Sequence, residues 1–559
     1  MIRTGNICDK LQRKQTAPFG PMKVGGLWGR RVEDTVREWS LKVNDDLLLD
    51  GFRSRPGIQA WIGEHVGKFT HGAIYVNEIV HSKELANKID FLMKELIACQ
   101  EEDGYLGTYL PKDRWTNIPD EGRWDLWAEK YCLLGLYAYY QITGSAPAAE
   151  CAKKLILLLD SIYGESGAYN LNESDAHGGL ASGSVLEPLM LWYELTGLPQ
   201  AKALADRIVE YYWTESAPGT PHLLKNMTKL PYGLKNVASG KAYEMMSCFV
   251  GLTEYARLTG KTEYLDKVML ARDQISLYYR QLTGCMSERE WLGRARNLTE
   301  KADLENCVAF TWIQLNSRLY ELTGEMRCID SIEESAFNHL MQAISPDGST
   351  WIYYSSLTGP KDITYWNQLP SSETYKEMLN INTGEEVSHD KRDYVSAPVT
   401  CCSTNGQRAL GLVPQYACTL SAEGDIFINL LFDMEKTFAA QDNRIHVSMR
   451  TDFPRSADGV LTIRTEKPCK VYMRVPAWAN QTMIDGMAVQ PDTYFEQAVD
   501  AGETQIAFSL GMRLRLMSPG FSNRGKYALA YGPMLRTADS LPKGWDFDEI
   551  VLELPKVLT

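Results

Sequence analysis

The sequence lacks long hydrophobic segments. Among its 559 residues there is no uninterrupted apolar run of the roughly 18 residues that a membrane helix needs, so we expect no membrane partner. Residues 1–17 are polar and basic and contain no apolar stretch of the kind that a secretory leader requires. We therefore expect a cytoplasmic protein, although a secreted chain trimmed of its leader would show the same pattern.

Positive charge is also scarce. The chain has 58 Lys and Arg against 71 Asp and Glu, which gives a net charge of −13. Binding to nucleic acid depends on a basic surface, so no nucleic-acid partner is expected. Aromatic residues, in contrast, are abundant. The 14 Trp and 29 Tyr suit a protein that stacks on the flat faces of sugars, although most of them must fill the core.

Cysteine is too sparse to build a disulfide framework. The 12 cysteines are scattered over a long chain, unlike the dense pattern of small secreted proteins. We predict reduced, buried thiols, except where a cysteine has a chemical role. The sequence leaves the oligomeric state open, and a homodimer is one alternative.

A repeated helix ending dominates the first two thirds of the chain. A Tyr followed shortly by Thr-Gly recurs at Gly144, Gly197, Gly260 and Gly324. A glycine in this place closes the last turn of a helix in a left-handed conformation. The intervals fit one helical hairpin each, and the long, varied loops between them favour a closed toroid over an open solenoid.

The pattern changes after about Cys418 to short alternating runs bounded by Gly, Pro and Asp. Strands are predicted at 426–432, 444–451, 460–465, 470–476, 505–510 and 526–531. The fold class is therefore mainly α. We expect an (α/α)6-type toroid catalytic domain over residues 1–418, followed by an antiparallel β-sandwich domain over residues 419–559.

Two segments contain cysteines that could carry chemistry. Cys307 follows Glu305 by two residues, and Cys401-Cys402 precedes a polar Ser-Thr-Asn stretch that could cap a helix at 406–412. A helix N-terminus lowers the pKa of a nearby thiol. Because neither segment can pair its ligands within a regular helix or strand, we expect turns to gather three sulfurs and one carboxylate into a zinc shell. Three buried thiols without a metal are the alternative.

At this point the chain resembles a known family, the glycoside hydrolases typified by bacterial β-L-arabinofuranosidases. The resemblance spans roughly residues 27–533 and rests on Glu305-Asn-Cys307 and Cys401-Cys402-Ser-Thr-Asn405. Further matching segments are 61–68, 100–106, 287–291, 474–478 and 531–533. The resemblance implies a retaining glycosidase that binds Zn²⁺ and uses a metal-bound cysteine as its nucleophile.

Matching positions imply the residue roles. Glu305, Cys307, Cys401 and Cys402 would bind zinc, with Cys401 as the attacking sulfur. The general acid/base is a Glu shortly before the Glu-x-Cys element, and both Glu288 and Glu290 fit. We prefer Glu290 because the family's acid is closely followed by an aromatic residue, here Trp291.

The sugar contacts are less well defined by the sequence. His65 and Tyr105 are candidate contacts. Lys241 replaces a histidine of the family and would suit a sugar carboxylate. We expect exo-action on an oligosaccharide or glycoside. Two alternatives remain: a carboxylate-based glycosidase with a structural zinc that acts on an acidic plant-wall sugar, and a carbohydrate-binding protein without catalysis.

Overall fold

The structure is a computed structural model that describes residues 15–16, 19–58, 60–115, 123–230, 232–292, 302–355, 399–440, 442–517 and 527–536. Its α-helices, in chain order, are α1 Gly26–Thr35, α2 Asp45–Arg53, α3 Glu64–Val80, α4 Lys83–Ala98, α5 Asp125–Thr143, α6 Ala146–Tyr163, α7 Leu180–Gly183, α8 Leu186–Thr196, α9 Pro199–Arg207, α10 Leu223–Asn226, α11 Ala242–Thr259, α12 Thr262–Tyr278, α13 Asn306–Thr323, α14 Met326–Ser335 and α15 Cys401–Gln415. None of these helices is both long and apolar enough to cross a membrane.

The inner helices form a closed ring. Within the described residues, α3, α5, α8, α11, α13 and α15 each contact the next, and α15 returns to pack against α3. The alternate helices α4, α6, α9, α12 and α14 lie outside them and are polar on one face. The inner helices are buried on nearly all sides, as expected for a layer enclosed by protein. The predicted toroid is confirmed.

The predicted glycine endings are all found on inner helices. Gly144, Gly197, Gly260 and Gly324 follow α5, α8, α11 and α13 with φ of 65°, 68°, 71° and 60°. Each glycine N–H donates to the carbonyl of the tyrosine or alanine four residues earlier. The repeated sequence motif therefore marks the C-terminal ends of neighbouring inner helices.

The ring is tight because glycines let the helix backbones touch. A Cβ on Gly67 of α3 would lie 1.9 Å from the carbonyl oxygen of Tyr131 in α5, and one on Gly135 of α5 would lie 2.8 Å from Gly67 itself. On the other side of α3, a Cβ on Gly411 of α15 would lie 2.6 Å from the backbone of Tyr75. Helix α3 thus packs backbone to backbone against both neighbours.

The strands of the structure are β1 Gln15–Thr16, β2 Met22–Val24, β3 Ser287–Glu288, β4 Trp291–Leu292, β5 Leu304–Glu305, β6 Tyr354–Ser355, β7 Cys418–Ser421, β8 Ile426–Ile428, β9 Met434–Ala440, β10 Asn443–Thr451, β11 Asp458–Thr465, β12 Cys469–Val475, β13 Thr482–Ile484, β14 Met487–Val489, β15 Thr493–Val499, β16 Gly502–Ser509, β17 Leu514–Met517, β18 Ala528–Tyr531 and β19 Met534–Leu535. The predicted β-rich C-terminal domain is confirmed.

Two main sheets build this domain, in the orders β1-β7-β8-β12-β15 and β14-β13-β16-β11-β10-β9-β2. Burial alternates along β10, where Ile445, Val447 and Met449 are buried and their neighbours are partly exposed. One pairing departs from the expected antiparallel pattern, since β8 and β12 are parallel. The chain crosses to the other sheet through β9, β10 and β11 before it returns, so β12 re-enters in the same direction as β8.

The first two strands of the chain belong to the sheets of the sandwich. Strand β1 pairs with β7, and β2 pairs with β9. A second link between the domains is Arg474 of β12, whose buried guanidinium binds Asp330 at 2.6 Å and Glu333 at 2.9 Å in α14. A buried ion-pair group therefore fixes the sandwich to the helical ring.

We predict that Gly67→Ala destabilises the protein by several kcal/mol, because the new Cβ would press on the backbone of α5, where nothing flexible can yield; ordinary overpacking costs about 1–3 kcal/mol. Gly20→Ala is the matched control, since a Cβ there meets nothing within 4 Å. Chemical denaturation of both variants measures the difference. Equal stabilities would show that the two helices separate without cost.

Candidate active site

A cavity of about 250 Å³ opens at the N-terminal ends of the inner helices. Its wall contains the first residue of α3, Glu64, together with Cys401, which begins α15. Four tryptophans line it: Trp61, Trp124, Trp127 and Trp291. The cavity combines carboxylates with flat apolar rings, which is the chemistry that sugars require of a binding site.

The cysteine pair begins a helix, whereas the sequence analysis expected it to precede one. Thr400 is the N-cap of α15, and its side chain and that of Ser403 form a reciprocal capping box. Cys401 and Cys402 therefore occupy the first two helical positions, and the helix starts about five residues before the predicted 406–412. The cap lies at Thr400, upstream of the cysteines, because its hydroxyl accepts the backbone N–H of Ser403.

The Glu-x-Cys element has a matching arrangement. Glu305 is the N-cap of α13 and Cys307 lies in its first turn. Since α13 and α15 are neighbours in the ring, their N-termini bring the two segments together without the turns that the sequence analysis required. The ligand atoms of Glu305, Cys307, Cys401 and Cys402 all lie within 4.8 Å of one another.

This group has the donors for a metal ion. Three sulfurs and one carboxylate make a four-atom set of the kind that soft divalent metals prefer. The Oε2 atom of Glu305 is buried and has no hydrogen-bond partner among the described residues, which a metal ion would supply. The residues present therefore fit a metal, and Glu305, Cys307, Cys401 and Cys402 are the ones that would hold it.

The four groups differ in their tendency to ionise. Burial raises the pKa of Glu305, Cys307 and Cys402. Burial also opposes ionisation of Cys401, but hydrogen bonds from Cys307 and Cys402 and the Lys68 cation outweigh it, so the pKa of Cys401 lies well below its usual value. Cys401 is thus the sulfur that carries negative charge first.

Cys401 is also the sulfur that faces the cavity. Its side chain lines the wall and is 7% exposed, whereas Cys307 and Cys402 are fully buried. A molecule in the cavity can therefore reach the sulfur of Cys401 but not those of the other two cysteines.

Glu290 lies at the tip of a two-residue hairpin between β3 and β4, in which Glu288 pairs with Trp291. Arg289, the first turn residue, has φ of 51°, a left-handed conformation that glycine usually adopts in such turns. The hairpin is tied to the N-terminus of α11, because Ala242 N–H donates to the Glu290 carbonyl at 2.9 Å. Glu290 lines the cavity, and Glu288 is exposed outside it.

Both carboxylate oxygens of Glu290 are held. Tyr353 donates its hydroxyl to Oε1 at 2.6 Å, and Lys241 donates its ammonium to Oε2 at 2.5 Å. Lys241 also lies 3.9 Å from Glu244, another wall carboxyl, whose pKa burial raises to about 7. Lys241 thus lines the cavity, and its charge is already paired with carboxylates of the protein.

A buried cation lies behind the cavity wall. Lys68 of α3 is fully buried and forms an ion pair with Glu64 at 2.9 Å. Its ammonium faces the rings of Tyr131, Tyr243 and Trp127 at 4.4, 4.8 and 5.5 Å. This cation offsets part of the negative charge that Glu64 and the thiol cluster bring together.

His65 and Tyr105, which the sequence analysis offers as sugar contacts, are not among the described residues that line this cavity, and their role stays a prediction. Both are fully buried. The Tyr105 hydroxyl donates to Asp125 at 2.8 Å and accepts the N–H of Tyr109 at 2.9 Å, so it supports the fold. Burial, followed by the Lys68 charge, lowers the pKa of His65 to about 3 and leaves its ring neutral.

The sequence analysis missed several residues of the cavity wall, namely Glu64, His177, Glu244 and Tyr353. Glu64 precedes His65 in one of the matching segments. Because α3 begins at Glu64, the side chain at the cavity is that of Glu64 and not that of His65. The other three lie on separate loops and helices. No spacing in the sequence links them to the cysteines.

A cavity that combines several carboxylates with tryptophan rings at the mouth of a helical toroid is typical of an enzyme that cleaves glycosidic bonds. The protein is a glycoside hydrolase. It belongs to the family described as "Beta-L-arabinofuranosidase, GH127 catalytic domain", whose model matches residues 31–412.

Individual relatives are distant in sequence but extensive in coverage. The "Non-reducing end beta-L-arabinofuranosidase" of Bifidobacterium longum subsp. longum is 21% identical over 527 residues, which cover 86% of this chain and 76% of that protein. A GH127 β-L-arabinofuranosidase from Geobacillus stearothermophilus T6 superposes with a TM-score of 0.73 at 16% identity, over 92% of this chain and 86% of that one. Another GH127 β-arabinofuranosidase gives 0.72 at 18% identity, over 95% and 86%.

We predict that the purified protein carries about one divalent metal ion per chain and that Cys307→Ser loses most of it, because the variant removes one of four donors. Cys328→Ser is the control, since Cys328 is equally buried in α14 but lies outside the cluster. Elemental analysis of the three proteins decides the matter. Equal metal contents in both variants would place the metal elsewhere.

Proposed function

We propose that the protein is a retaining, exo-acting β-L-arabinofuranosidase in which Cys401 is the nucleophile and Glu290 is the general acid/base. One observation carries the proposal: of the three clustered sulfurs, the one that reaches the cavity is Cys401, and the cavity also contains Glu290. Family membership and the activity named for the Bifidobacterium relative support the choice of sugar.

The metal in this proposal is Zn²⁺, held by Glu305, Cys307, Cys401 and Cys402. The donor set favours zinc because three thiolates and a carboxylate match its softness and four-fold coordination. When bound, the ion keeps the thiols deprotonated at neutral pH.

The chain's own residues perform the bond changes in two steps. The Glu290 carboxyl gives its proton to the glycosidic oxygen while the Cys401 sulfur attacks the anomeric carbon, so a carbon–sulfur bond forms as the carbon–oxygen bond breaks and the alcohol leaves. The Glu290 carboxylate then takes a proton from water, whose oxygen attacks the same carbon and releases Cys401. Two inversions give net retention.

The shape of the cavity supports exo-action. A volume of about 250 Å³ inside a closed ring holds one terminal sugar, and the four tryptophans supply stacking faces around it. Trp291, which follows Glu290 directly in the chain, is 38% exposed and lines the cavity.

A second candidate is a carboxylate-based glycosidase in which the cysteines only hold a structural zinc. The observation that favours it is the presence of Glu64 and Glu244 in the same cavity, because either carboxylate could take the place of the sulfur. A four-donor metal shell is also typical of structural zinc. A third alternative is a carbohydrate-binding protein without catalysis, which would bind the glycoside but would not hydrolyse it.

We predict that an epoxide-type or haloacetamide analogue of β-L-arabinofuranose adds one sugar unit to Cys401, since this sulfur alone of the three reaches the cavity. Intact mass and peptide mapping measure the label. Cys401→Ser should abolish it, because a hydroxyl without an adjacent base is a poor nucleophile. Labelling of Glu64 or Glu244, or an inverted product by NMR, would support the carboxylate mechanism instead.

We predict that the activity lost on substitution of Glu290 depends on the leaving group of the substrate. Glu290→Gln should lower kcat/KM by about 10²- to 10⁴-fold on substrates with poor leaving groups and far less on dinitrophenyl glycosides, which leave without a proton. Glu288→Gln is the matched control, because Glu288 lies on the same hairpin but outside the cavity. A larger loss of activity in Glu288→Gln would show that Glu288, and not Glu290, is the acid/base.

A further inference from the structure

The two carboxylates beside Lys241, those of Glu290 and Glu244, differ in their hydrogen bonding. Glu290 accepts hydrogen bonds on both oxygens, from Tyr353 at 2.6 Å and from Lys241 at 2.5 Å. Glu244 lies 3.9 Å from the same ammonium, beyond hydrogen-bond distance, and its Oε2 has no hydrogen-bond partner among the described residues although it is buried. Glu290 is fixed through both oxygens, whereas Glu244 lines the cavity and has a buried oxygen without a partner among the described residues.

Lys241 is itself held in place. It is the N-cap of α11, its backbone bridges to Trp291, and its side chain is 8% exposed. The ammonium lies 5.2 Å from the Trp291 ring and 5.5 Å from the Trp124 ring, so apolar faces flank it on the sides not taken by carboxylates. Movement of Lys241 towards a ligand would break its bond to Glu290.

The charge of the wall argues against an acidic sugar at this point. Among the described residues that line the cavity, Lys241 is the only cationic side chain, since burial lowers the pKa of His177 to about 3. The wall also contains the carboxyl groups of Glu64, Glu244, Glu290 and Glu305, of which Glu290 is bound directly to Lys241. A sugar carboxylate beside Lys241 would meet two carboxylates at close range and lose its hydration without gaining a free cation.

We propose that Lys241 is a positioning residue that holds the Glu290 side chain, which gives its carboxyl proton to the leaving group and regains a proton from water, while Glu244 accepts a hydrogen bond from a hydroxyl of a neutral terminal sugar. The inference rests on the proposed function of Glu290 as the acid/base. It reassigns Lys241, for which the sequence analysis expected a contact with a sugar carboxylate. A misplaced catalytic group costs about 10²-fold in rate, which sets the scale of the expected effect.

The two roles give opposite kinetic signatures. Lys241→Met should lower kcat/KM by about 10²-fold on a glycoside with a poor leaving group and by only a few-fold on the dinitrophenyl glycoside of the same sugar, because it disturbs only proton transfer. Glu244→Met should lower kcat/KM on both substrates equally, by about 10- to 100-fold, because it removes a charged hydrogen bond to the sugar.

Two further variants make the test specific. Lys241→Gln keeps a donor for Glu290 and should recover part of the activity on the poor leaving group that Lys241→Met loses. Lys235→Met is the control, because Lys235 is exposed on the same loop and lies outside the cavity. Melting temperatures of all four proteins separate misfolding from a kinetic effect.

The measurement uses the metal-loaded enzyme and whichever aryl glycosides the wild type hydrolyses. The identity of the hydrolysed sugar tests the proposed function. The ratio of kcat/KM between the two leaving groups tests this inference. An equal loss on both leaving groups in Lys241→Met would make Lys241 a sugar contact and overturn the assignment. A leaving-group-dependent loss in Glu244→Met would overturn it as well. Faster turnover of a uronide than of the matching neutral glycoside would contradict the sugar preference.

Discussion

The site depends on how closely the inner helices approach one another. Gly67 and Gly135 let α3 touch α5, and Gly411 lets α15 touch α3, with no room for a single added carbon. Because the ring closes at this distance, the N-termini of α13 and α15 meet at the cavity floor, and Cys307 and Cys401 come within bonding range of one ion. A wider ring would separate the sulfurs, whatever their spacing in the sequence.

Helix N-termini suit this cluster for an electrostatic reason. Unpaired backbone N–H groups and the helix dipole favour negative charge, and here two helices direct that end at the same group of thiols. The buried Lys68 adds a full positive charge from a third helix, within a cage of aromatic rings. The helix N-termini and Lys68 therefore offset part of the negative charge that the carboxylate and the three thiols carry when they ionise.

Local sequence patterns predict the helices and strands, but not which of their residues come together in the folded protein. The left-handed glycines that end α5, α8, α11 and α13 could be predicted because one residue type satisfies one backbone conformation. The strands of the second domain follow from alternation. The start of α15 was misplaced because its cap, Thr400, lies before the cysteines, and the polar residues after them drew the prediction downstream.

The cavity wall was harder to predict because it is a product of tertiary structure. Glu244 and Tyr353 reach it from different parts of the ring, and only the register of α11 and of the segment before β6 brings them to Glu290. Tyr105 belongs to a matching segment, yet its hydroxyl is bonded to Asp125 and it is not among the residues that line the cavity. The candidate metal ligands were identifiable through their motif, whereas the residues that contact Glu290 are defined by distances that no local pattern encodes. The rest of the cavity wall is therefore the part of the site that local sequence patterns predict least well.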